Sequence, residues 1–97
     1  MLEVELLVPA KASSEHVIEV VEQVCVLHGL TCARKGTLAS YPGCIHWHFT
    51  MGKQKGTLEI TWWETKNRLW FKMAKGRMGY WMTENITNLR KKIENSL

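Results

Sequence analysis

Cys44-Ile45-His46-Trp47-His48-Phe49-Thr50-Met51 decides the fold, because its side chains change character at every step. Successive strand residues point to opposite faces of a sheet. Ile45, Trp47, Phe49 and Met51 therefore share one face, and Cys44, His46, His48 and Thr50 the other. The first set is apolar enough to meet a helical layer. The second carries two imidazoles.

Toward the C-terminus two more alternating runs follow, over residues 57–64 and 68–74. They place Leu58, Ile60, Trp62, Leu69 and Phe71 with Trp47 on the core side, and Trp63 and Trp70 on the other. Lys53-Gln54-Lys55-Gly56 reads as a four-residue hairpin loop and Lys66-Asn67 as a two-residue turn. In those registers Trp63 faces Trp70 and Thr61 faces Lys72, while His46 faces Trp63, His48 faces Thr61 and Thr50 faces Glu59. The second face is thus expected to show one row of His46, Trp63 and Trp70 and another of His48, Thr61 and Lys72. Arg68 and Lys72 flank Trp70.

Toward the N-terminus, Leu2, Val4, Leu6 and Val8 alternate with Glu3 and Glu5 in a strand that Pro9 ends. Ser13 or Ser14 caps a helix whose apolar stripe is Val17, Val20, Val21, Val24, Leu27 and His28. Glu15, Glu19 and Glu22 lie opposite, and Gly29 stops the helix. A further strand is expected over residues 30–38, then a turn at Ser40-Tyr41-Pro42-Gly43. Lys75-Gly76-Arg77-Met78-Gly79 reads as a loop and Trp81 as an anchor before a last helix. That helix is expected to be capped by Thr83, with Ile86, Leu89, Ile93 and Leu97 as its stripe. Each helix has a single apolar stripe, so both should cover one face of the sheet. The expected architecture is one domain over residues 1–97, a two-layer α+β fold in the order β-α-β-β-β-β-α with an antiparallel sheet. This order is similar to that of TATA-binding-protein-like and helix-grip domains. The resemblance is one of topology, with no motif matched residue by residue, and it implies no function.

Composition agrees with a folded domain: 97 residues, 45% hydrophobic and 23% charged. No apolar run approaches the roughly 20 residues that span a bilayer. The first residues lack the basic and apolar segments of a secretory signal, so a cytoplasmic protein is expected, without membrane attachment. Cys25, Cys32 and Cys44 are an odd count without a close pair. That argues against a disulfide framework and an all-cysteine zinc site. Cys25 and Cys32 read as small hydrophobes. Of the net charge of +4, residues 1–50 contribute −2 and residues 51–97 contribute +6, an asymmetry suited to an anion-facing side.

The expected working surface is the second sheet face, with His46, His48, Trp63, Arg68, Trp70 and Lys72. Its leading use is a non-catalytic interaction, a homodimer or a protein partner, since aromatic residues and arginine dominate interface hot spots. The alternative is single-stranded nucleic acid, with bases stacked on Trp63 and Trp70 and phosphates met by Arg68 and Lys72. A third use is a metal site on Cys44-x-His46-x-His48, whose alternate positions project to one side, with Cys44 or Glu59 completing the ligand set. No nucleophile–base–orienter set, phosphate-cradling loop or cofactor motif is present. The sequence thus names neither catalytic residues nor a cofactor.

Overall fold

The alternating runs become β1 (Leu2–Leu6), β2 (Thr31–Gly36), β3 (Ile45–Thr50), β4 (Leu58–Trp63) and β5 (Arg68–Met73), and the amphipathic segments α1 (Ser14–Leu27) and α2 (Tyr80–Ser96). The structure is a computed structural model that describes residues 2–97, apart from the side chain of Arg77. All pairings are antiparallel, in the order β1-β5-β4-β3-β2. The α+β class and element order are those expected. β1 and β2 form the two edges, so α1 carries the chain across the whole sheet. No helix among the described residues is long and apolar enough to cross a membrane.

Both helices pack on the face bearing Trp47, Phe49, Leu58, Ile60, Leu69 and Phe71, all fully buried. Ser13 caps α1 by accepting the amide of His16, and Gly29 follows with a φ of +81° that favours glycine. Val17, Val20, Val21 and Val24 are buried, as is Cys25, but Leu27 lies outside the stripe at 82% exposed. The helix ends there, with Val24 and Cys25 of its last turn still in the core. His28 binds the Val24 carbonyl through Nδ1. The two core indoles of the sheet find partners on α1: Trp47 donates to Glu22 and Trp62 to Ser14, both at 2.9 Å, so neither buried N–H is stranded.

Three local expectations are corrected. First, α2 starts at Tyr80 after Gly79, three residues before Thr83. Trp81 donates to the Lys55 carbonyl (3.1 Å), and a Cβ on Gly79 would collide with that same carbonyl. The backbones meet there, and the helix begins at the contact. The loop before it contains a 3-10 turn, Lys75–Arg77. Second, Cys32 is exposed on the β2 edge and not a buried hydrophobe.

Third, both hairpin registers differ from expectation by two residues. Glu64–Lys66 forms a 3-10 turn that Asn67 closes in the left-handed region, φ 51°. The loop is therefore four residues long and Trp63 pairs with Arg68. On the other side Phe49 pairs with Leu58, which leaves Met51 outside the ladder. A slip of two keeps every side chain on its face and changes only its neighbours.

Candidate metal centre on the outer sheet face

The observed registers align Glu3, Lys72, Glu59, His48 and Arg34 in one row across five strands. The adjacent row holds Glu5, Trp70, Thr61, His46 and Gly36. Glu59 is thus directly opposite His48, and Thr61 directly opposite His46. The expected rows are replaced, with consequences for the chemistry.

Three basic atoms converge where the rows meet. His46 Nε2 lies 3.1 Å from His48 Nε2 and 3.2 Å from Glu59 Oε1. His48 Nε2 lies 3.8 Å from that oxygen. Thr61 Oγ1 holds the other nitrogen of His46, Nδ1, at 2.8 Å. His46 and Thr61 are the buried polar residues of the sheet, 7% and 1% exposed. Burial pushes the His46 imidazolium down. His48 and Lys72 push the same way, and the opposing pull of Glu59 does not restore the ordinary value. His46 therefore offers a lone pair at neutral pH.

Arg34 reaches this face through a bulge. β2 pairs Cys32 with Phe49 and then Arg34 with His48, so Ala33 is an extra residue. In an unbroken register Arg34 would face Trp47 on the helical side. The bulge turns it onto the outer face and gives the helical side to Lys35. There Lys35 binds Glu22 at 2.7 Å. Burial alone would raise the Glu22 carboxyl, yet hydrogen bonds from Lys35 and Trp47 outweigh it and hold the group below its usual range. Arg34, Thr37 and Leu38 wall a cleft of about 540 Å³ whose floor is His46, His48 and Glu59.

The other expected residues lie apart from this cleft. The connection after β2 folds back over the sheet and sets the Tyr41 ring edge-on against Trp63 and Trp70, both centroids at 5.0 Å. Trp63 donates to the Pro42 carbonyl (3.0 Å). Arg68 lies over Trp70 at 4.5 Å and pairs with Glu5. Trp70 is left 4% exposed. The expected open aromatic surface is half covered by the chain's own strap, to which Tyr41, in the expected turn at Ser40-Tyr41-Pro42-Gly43, contributes a ring. Cys44 is no ligand: it is 2% exposed and its Sγ accepts from the Leu38 amide (3.3 Å).

The outer face is therefore divided into a clasped aromatic half and an open polar half. Among the described residues, His46, His48 and Glu59 form the cluster whose ligand atoms could meet on one cation. Comparison with protein-family models, with curated proteins and with solved structures finds no match.

Proposed function

We propose that this domain binds a divalent transition-metal ion, zinc by the character of its donors, through His46 Nε2, His48 Nε2 and Glu59 Oε1. The observation that carries the proposal is the size of the triangle. Zinc holds nitrogen at about 2.0–2.1 Å and carboxylate oxygen at about 2.0–2.2 Å, which puts tetrahedral ligands about 3.3–3.4 Å apart. The three edges of 3.1, 3.2 and 3.8 Å bracket that value. Thr61 supports the same reading, since a metal-bound imidazole ordinarily uses its second nitrogen in a hydrogen bond that fixes its orientation. Two imidazoles and one carboxylate are a borderline-soft set, better matched to zinc than to magnesium or calcium.

Three protein ligands leave the fourth position toward the cleft. The self-association and single-strand readings depend on indoles that a partner can reach. Tyr41 and Arg68 already occupy the ring of Trp70, so those readings rank behind the metal.

The test is zinc titration of chelator-stripped protein by calorimetry, with backbone spectra recorded alongside. One equivalent should bind. His48→Ala and Glu59→Gln should each weaken binding by more than the roughly 10–100-fold typical of outer-shell changes, because each removes a ligand. Folded protein that takes up no zinc, or variants that bind like the parent, would leave the cluster a hydrogen-bonded network with protons between its nitrogens and refute the proposal.

A further inference from the structure

The bulge in β2 points to a second component of the site. We infer that the open coordination position takes a small oxyanion, a carboxylate or phosphoryl group, gripped by the Arg34 guanidinium; this rests on the metal reading above. The argument begins with placement. A regular edge strand would put Arg34 on the helical side, opposite Trp47, and the extra residue at Ala33 brings it beside His48. Bulges often re-aim one side chain beside a site.

Arg34 is also uncommitted. Lys35 binds Glu22, Arg68 binds Glu5 and Arg90 binds Glu94, while among the described residues no carboxylate lies within 4.0 Å of Arg34. Its planar fork matches two oxygens of a carboxylate or phosphate. The cleft it walls, about 540 Å³, falls within the about 300–1,000 Å³ of small-molecule sites.

Charge decides which ligand class fits. Without a cation, Glu59 offsets Arg34 and the Lys35 that also lines the cleft is paired with Glu22, so the cleft has little pull on an anion. A divalent ion on the triangle leaves a local surplus of two positive charges, with Lys72 on the far side of Glu59 in the same row. The two components should then strengthen each other reciprocally, because a coupling free energy acts equally on both binding events. A basic bulge also protects an edge strand from pairing with another chain. That explanation accounts for an exposed Arg34 but predicts no coupling between metal and anion.

The experiment measures zinc affinity by chelator competition, and the visible bands of Co²⁺-loaded protein, in three buffers: one free of coordinating anions, one with acetate and one with methylphosphonate. A gain in zinc affinity of about 5-fold or more at saturating anion, with shifted Co²⁺ bands, is expected. The arm with the larger gain assigns carboxylate or phosphoryl. Arg34→Ala should still bind zinc and lose the gain. Zinc binding that neither anion changes overturns the oxyanion inference and leaves the metal site standing. A gain that survives in Arg34→Ala overturns the role of the guanidinium. Failure of the parent protein to bind zinc in the anion-free buffer overturns the metal reading, and this inference with it.

Discussion

Thr61→Val isolates the contact that orients the site. Valine has the shape of threonine without the hydroxyl, so packing on the outer face is preserved while His46 Nδ1 loses its partner at 2.8 Å. Thr61 is 1% and His46 7% exposed, which leaves no room for water to take over the bond. A buried polar group deprived of its partner costs about 1–3 kcal/mol. In a domain of this size each kcal/mol lowers Tm by about 4–8 °C. With total stabilities of about 5–15 kcal/mol, the variant should still fold. Zinc affinity should fall by about 10–100-fold, the usual penalty for removing the group that fixes a ligating imidazole. Urea denaturation without metal and zinc competition on the folded protein read the two effects separately. Thr61→Ser restores the hydroxyl and should recover the zinc affinity even if the lost methyl costs stability. The reasoning is refuted if Thr61→Val matches the parent in both measurements, or if Thr61→Ser is as impaired toward zinc as Thr61→Val.

Three further outcomes follow from the geometry. His46 is held below its ordinary value of 6.5, so as pH falls below about 6.5 the unfolded chain gains a proton that the folded chain resists. The metal-free protein should then lose stability by up to about 1.4 kcal/mol per pH unit for this one proton. Urea midpoints measured from pH 8 to 5 should show the loss, and a His46→Gln variant should flatten it. Tyr41→Ala removes two edge-on ring contacts at 5.0 Å, each worth about 0.5–1.5 kcal/mol. The variant should be less stable with a red-shifted tryptophan emission; unchanged emission would mean that Tyr41 does not shield Trp70. Burial pushes the Cys25 thiol up to about 12 and Cys44 is equally hidden, whereas Cys32 is exposed. A disulfide exchange reagent should label one thiol quickly in native protein and three after denaturation.

Face assignment was legible in the sequence and neighbour assignment was not. Alternation at Ile45, Trp47 and Phe49 places those side chains in the core whatever the register, because the pleat has a period of two. Register depends on loops, and loops are decided by single residues in unusual conformations. Asn67 in the left-handed region turns an apparent two-residue hairpin into a four-residue one, and Thr61 thereby comes opposite Trp70 in place of Lys72; a longer loop between β3 and β4 likewise brings Glu59 opposite His48 in place of Thr61. The bulge at Ala33 leaves no mark in Thr31-Cys32-Ala33-Arg34-Lys35-Gly36, so the approach of Arg34 emerges only once β2 is laid along β3. Cys44 misleads for the opposite reason. Its spacing from His46 is right for a shared face, but the strap that begins at Thr37 folds back and takes its sulfur for the Leu38 backbone.

The polar half of the outer face is hard to explain as a device for stability. A domain of 97 residues buries a smaller share of its surface than larger ones do, and has little to spare. Yet it hides an imidazole and a hydroxyl on the face away from its core and sets a second imidazole and a carboxylate against them. Desolvating such groups costs free energy that their hydrogen bonds only partly return. Apolar residues at 46, 48 and 61 would pack beside Leu38 and Trp70 and close the sheet as the clasp of Tyr41 does on its other half. Elsewhere on this face the chain takes that solution, setting Tyr41 edge-on and Arg68 face-on against Trp70 and leaving it nearly inaccessible. Departures from local packing logic concentrate where a protein does its work. Here the departure takes a specific form: two imidazole nitrogens and a carboxylate oxygen converge within 3.8 Å of one another, at the spacing a bound cation would require. The clasp then acquires a purpose of its own. Its contacts at Tyr41 and Pro42 anchor the strap that begins as the cleft wall at Thr37 and Leu38, so the chain that clasps the aromatic half also borders the polar half.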